Sequence, residues 1–185
     1  MEKKEKTTSM EKACFISFDN VLCLHYEDLV FDESIFFQSL KDATAHLYSA
    51  SYLNMPVYRY LIAIQEIGYP VILLSCANSK YLSLQKEWIK EHCRQVKFKD
   101  YIGVSSDKEK LDIIKCYRTF FNIESENILY IDNCCSIKEE MLQNSIKPLS
   151  PQLIANEMYA QLVEDTKIKS TKKSSQLIVE ANSSR

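Results

Sequence analysis

The stretch "CFISFDNVLC", residues 14–23, is an apolar run broken at Asp19-Asn20. Buried strands of α/β sheets often end on such a polar pair, where a loop opens at a binding site. Three more runs of strand length, 71–74, the weaker 101–104 and 128–131, repeat the pattern and end at Ser75, Ser105 and Asp132. All four are continuous rather than alternating, which marks strands buried on both faces, as in a parallel sheet covered by helices.

Helical patterns separate these runs. Residues 57–68 place Tyr60, Leu61, Ile64 and Ile67 on one stripe and stop at Gly68, with Pro70 beyond. Residues 83–93 open on Ser83, and 107–121 open on Asp107 as N-cap, with Leu111 and Ile114 in helical register. Helices are also expected over 136–145 and over 150–165, the latter with proline in its first turn. Strands alternating with helices predict a doubly wound parallel sheet flanked by helices. The segment of about 23–56 is too long for a bare connection, and it is aromatic and acidic, with Tyr26, Phe31, Phe36 and Phe37. It is expected to form a small helical cap.

Composition narrows the function classes. The chain has 185 residues and a formal net charge of −2, which gives no reason to expect nucleic acid or an anionic membrane as partner. No apolar stretch approaches the ~20 residues of a membrane span, and no signal-peptide pattern follows the charged start, so a cytoplasmic protein is expected. Residues 13–165 read as one domain, between a flexible leader (1–12) and a polar, basic, flexible tail (166–185). The seven cysteines lack metal-ligand spacing and read as reduced. Histidines 25, 46 and 92 are scattered. Gly68 and Gly103 are the only glycines, which excludes dinucleotide and P-loop phosphate cradles. Oligomeric state is left open.

The order of these strand ends resembles the haloacid dehalogenase-like (HAD) superfamily of phosphatases and phosphotransferases. "SFDNVL" (17–22) lies over that family's first motif, D-x-D-x-[TV]-L, with Ser17 where the first carboxylate belongs and Asp19 at the second. Ser75 stands for the second motif, Lys108 or Lys110 for the third, and Asp132-Asn133 for the fourth. The resemblance implies a HAD-like Rossmannoid fold with a cap after the first strand. It implies Asp19 as acid and base, and Ser75, Asn20 and one of the lysines as phosphate contacts. It also implies Mg²⁺ held by Asp132, Asp19 and Asn133, and a small phosphorylated molecule or phosphoprotein as ligand.

Ser17 departs from the pattern. A neutral hydroxyl is a poor nucleophile without an activating base, and Mg²⁺ favours charged oxygen ligands. The expectation is therefore a weak or inactive phosphatase, its Mg²⁺ site weakened or lost, acting as a binding or regulatory module. The alternative is a working Mg²⁺-dependent phosphatase in which water or Ser17 attacks phosphorus.

Overall fold

The structure is a computed structural model that describes residues 10–25, 48, 51–133 and 137–161. The chain divides into two compact units, Met1–Pro151 and Gln152–Arg185.

In the first unit the elements run β1 (Ala13–Ile16), β2 (Cys23–His25), β3 (Ser51–Leu53), α1 (Met55–Glu66), β4 (Val71–Ser75), α2 (Ser79–His92), β5 (Phe98–Gly103), α3 (Asp107–Phe121), β6 (Ile128–Ile131), α4 (Lys138–Gln143) and β7 (Lys147–Leu149). Five strands form one sheet in the order β5-β4-β1-β6-β7, with every pairing parallel. From β1 the chain moves outward to β4 and β5, then returns to the opposite side of β1 for β6 and β7. Strand order therefore reverses between β1 and β6, and open α/β sheets bind ligands at the carboxyl end of such a switch point.

The doubly wound sheet is thus as the apolar runs predicted. Every residue of β1, β4 and β6 is buried. One face packs on α3 and α4, where Phe15, Ile72, Leu74 and Tyr130 join Leu111, Ile114 and Met141. Phe15 meets Tyr117 edge-on at 5.4 Å between ring centroids. Cys14, Ile16 and Leu73 alternate with those strand residues and are equally buried, so the other face is covered too.

Several boundaries differ from the sequence-based ones. Helix α2 starts four residues before Ser83, because the side chain of Asn78 accepts from the backbone N–H groups of Lys80 (3.0 Å) and Tyr81 (3.1 Å). Ser83 is interior and donates back to Ser79 O (3.0 Å). Ser106, not Asp107, caps α3, its hydroxyl accepting from Glu109 N (3.4 Å). Strand β5 starts at Phe98, earlier than predicted, and is partly exposed, since it forms a sheet edge.

Strand β7 was not anticipated; its "KPL" is too short to show a pattern. Nor was the antiparallel ribbon of β2 with β3, where Cys23 pairs with Leu53 and His25 with Ser51. That ribbon bounds the segment predicted to be a cap, so the cap's ends are strands rather than helices. Its interior, residues 26–47 and 49–50, lies outside the described residues, as do residues 1–9 and 162–185, hence most of the leader and the whole tail. Met10, assigned to the leader, is instead buried in the core. In the second unit, residues 152–161 are helical, continuing from Pro151. Among the described residues no helix is long and apolar enough to cross a membrane.

Candidate functional site

Strand β1 ends at Ile16, and the next residue, Ser17, keeps the sheet register by donating its N–H to Ile131 O of β6 (3.0 Å). Asp132 follows β6 and donates its N–H to Leu149 O of β7 (3.1 Å). These backbone bonds fix both residues at the carboxyl ends of adjacent strands, across the switch point. Their side chains meet there: Ser17 Oγ donates to Asp132 Oδ2 at 2.6 Å.

Lys110, in the first turn of α3, completes the cluster. Its Nζ donates to Asp132 Oδ2 (2.9 Å) and to Ser17 Oγ (3.1 Å), and pairs with Asp107 Oδ1 one turn earlier (2.8 Å). The Tyr130 hydroxyl also donates to Asp132 Oδ2. A single carboxylate oxygen thus accepts from a hydroxyl, an ammonium and a phenol. The side chains of Lys110 and Asp132 are 5% and 7% exposed, so the ion pair is desolvated as well as bonded.

Electrostatics follow from this packing. Burial raises the pKa of Asp132, but the Lys110 ammonium and the hydroxyls of Ser17 and Tyr130 outweigh it, and the net shift is downward. Burial disfavours the charge on Lys110, yet Asp132 and Asp107 reverse the effect and hold the lysine above its ordinary value. Burial first, then the charge of Asp132, pushes the Tyr130 phenol up. At neutral pH Lys110 is therefore a cation and cannot serve as a base toward Ser17. Asp132, with its depressed pKa, is a weak one. Among the described residues, that weak base is the carboxylate to which Ser17 donates.

The other expected residues divide. Ser75 is buried at the end of β4, and its carbonyl accepts from Ala77 N (2.9 Å) and Val104 N (2.9 Å). It neighbours the cluster along the sheet, since Ser17 Oγ lies 3.4 Å from Leu74 O. Cys76 follows, its thiol donating to Asp107 Oδ1 (3.4 Å). Desolvation, then the pull of Lys110 against the push of Asp107, leaves the thiol pKa raised to about 11. Of the two candidate lysines, Lys110 is in the cluster, and Lys108 is exposed on the turn beside it. Asn20 is exposed at φ +57°, a left-handed turn position that asparagine tolerates, and its N–H bonds Cys23 O (2.8 Å). Asn133 is exposed one residue past Asp132.

Asp19 joins a different set of partners. A tight turn, in which Phe18 O accepts from Leu22 N (3.0 Å) and Cys23 N (3.0 Å), carries it toward the β2–β3 ribbon. There its carboxylate bonds His25 Nε2 (3.3 Å) and Gln85 Nε2 of α2 (3.3 Å), with its side chain 33% exposed. Asp107, Tyr130, His25 and Gln85 were absent from the sequence-based site. The first two left a trace: Asp107 is three residues before Lys110 on a helix, and Tyr130 is two before Asp132 on a strand. His25 and Gln85 left none.

The family resemblance implies Mg²⁺, and the described residues do not fit it as they stand. Mg²⁺ takes near-octahedral oxygen ligands, with charged carboxylates prominent. Here Oδ2 of Asp132 is saturated by donors and an ammonium sits 2.9 Å away. Asp19 is bonded to side chains of β2 and α2. Among the described residues no group of three His, Cys, Asp or Glu is arranged to hold a metal ion.

No family profile and no curated protein matches the sequence. Solved structures do resemble the fold. One is a chain of the Pnkp1/Rnl/Hen1 complex, 19% identical over 81% of this chain and 50% of that one, with a TM-score of 0.50. A second comes from a structure of the Pnkp1/Rnl/Hen1 RNA repair complex, 18% identical over 81% and 46%, at 0.51. The chain thus spans about half the length of these structures. A third is a HAD family enzyme from Bacteroides thetaiotaomicron in complex with magnesium and inorganic phosphate, 15% identical over 75% and 93%, at 0.48. The first two show a shared α/β fold, which in this chain is an all-parallel five-stranded sheet with a polar cluster at the β1–β6 switch point.

Proposed function

We propose that this protein is a HAD-fold binding or regulatory module whose phosphohydrolase site has closed on itself, leaving weak phosphatase activity or none. One observation carries the reading: Lys110, the cation that would hold a phosphoryl group, is spent on Asp132 and Asp107. Ser17 supplies no negative charge to draw the lysine away, so Asp132 takes it. The three charged side chains sum to −1, which repels a phosphate dianion. A small phosphorylated molecule or a phosphoprotein, the ligand class the resemblance implies, would be held only once Lys110 leaves Asp132.

A second reading keeps an active Mg²⁺-dependent phosphatase, and one feature favours it. Asp19 is a carboxylate at the family's acid-base position and is one-third exposed. In that reading Lys110 leaves Asp132, which with Asp19 and Asn133 then holds the metal.

An aryl-phosphate assay over a range of Mg²⁺ concentrations separates the two. The closed site predicts weak turnover or none, without dependence on Mg²⁺. Robust, Mg²⁺-dependent turnover that Asp19→Asn and Asp132→Asn each abolish overturns it.

A further inference from the structure

A second polar network lies on the far side of Phe18. Gln85 is 1% exposed, and its Nε2 lies 3.3 Å from Asp19 Oδ2 and 3.3 Å from Tyr48 Oη. Its other amide atom, Oε1, is buried and has no hydrogen-bond partner among the described residues. A buried carbonyl without a partner costs stability. Packing alone would favour an apolar side chain of the same length. What glutamine offers instead is an amide NH₂ that ties Asp19 to Tyr48.

Three residues further along α2, on the same helical face, Trp88 Nε1 donates to Ser51 Oγ (3.0 Å), and Ser51 Oγ donates to Tyr48 O (2.6 Å). Phe18 meets the rings of Tyr48 and Trp88 edge-on, at 5.1 and 5.3 Å. Ser51 begins β3, and its partner across the ribbon is His25, which bonds Asp19. Asp19, the ribbon and α2 therefore share one bonded frame.

We infer that Gln85 and Trp88 are positioning residues: they latch the base of the β2–β3 ribbon onto α2 and thereby fix the direction of the Asp19 carboxylate. The latch holds whether or not the cleft turns over phosphate. Displacement of the β2–β3 ribbon and reorientation of Asp19 become one event.

Trp88 is the only tryptophan, so its fluorescence reports on this junction directly. Gln85→Met keeps length and burial but removes the amide. Loss of a hydrogen bond to a charged group is expected to speed hydrogen exchange of residues 23–25 and 51–53 roughly tenfold. Trp88 should become more accessible to acrylamide, while the melting temperature stays level or rises. Unchanged ribbon exchange and quenching would overturn the latch, and so would a loss of protection spread equally over β1, β4 and β6. Tyr48→Phe removes the other end of the bridge and must give the same local pattern, which decides the matter should Gln85→Met fail to fold.

Discussion

Replacing Lys110 with methionine tests the ion pair as a source of stability. Its Nζ lies 2.9 Å from Asp132 Oδ2, with both side chains more than nine-tenths buried. At an effective dielectric constant of ~20 the attraction at that distance is about 6 kcal/mol, most of it offset by the desolvation of both charges. The methionine variant keeps the cost for Asp132 and loses the compensation, and breaking a buried pair this way costs about 3–5 kcal/mol. Ser17 and Tyr130 still donate to the stranded oxygen, so the lower end, about 3 kcal/mol, is expected. For a chain of this size that is a fall of roughly 6–12 °C in melting temperature. Urea and thermal unfolding at pH 7 measure it. Adding Asp132→Asn removes the stranded charge and should restore stability to within about 1 kcal/mol of the parent. A loss below about 1 kcal/mol in the single variant, or a double variant as unstable as the sum of the singles, would refute the buried-pair reasoning.

Acid should act through the same carboxylate. The folded-state pKa of Asp132 lies below its ordinary 3.8, so its contribution is present above that value and disappears as pH falls through the depressed one. Urea midpoints followed downward from pH 5 should therefore fall less steeply in Asp132→Asn than in the parent. Lys110 works in the opposite sense: its contribution is complete below its ordinary 10.5 and is lost as pH rises through the raised folded value. Ser17→Asp places a third carboxylate beside Asp132 and Asp107, and should lower stability without metal while making the melting temperature rise with Mg²⁺. The parent should show no such rise, and a Ser17→Asp protein indifferent to Mg²⁺ would mean the cleft has diverged beyond this residue. Gly103→Ala would put a Cβ 2.2 Å from the backbone oxygen of Ala77, and a cost of roughly 1–3 kcal/mol by urea unfolding is expected.

The fold was legible because its signal is local. Four apolar runs between amphipathic helices leave little choice but a parallel sheet, and their terminal polar residues mark its carboxyl edge. The family resemblance grouped Ser17 and Asp132 with either Lys108 or Lys110, and it is Lys110 that meets them across β1, α3 and β6. What the sequence hid was the partner choice of each side chain. Ser17 bonds Asp132, whereas Asp19 bonds His25 and Gln85, because the tight turn after Phe18 aims it at the ribbon. Gln85 sits 66 residues away in sequence, on a helix whose pattern says only that it is amphipathic. Choosing between Lys108 and Lys110 needed the true start of α3, which Ser106 rather than Asp107 caps.

Nitrogen-15 NMR of the Lys110 side-chain ammonium addresses the closed site most directly. Three hydrogen bonds and near-complete burial should give its Nζ protons slow exchange, and the resonance should stay in place on addition of Mg²⁺ and inorganic phosphate. A rapidly exchanging ammonium, or one that shifts in a saturable way with Mg²⁺ and phosphate, would mean that Lys110 is available to a ligand and that the site is open.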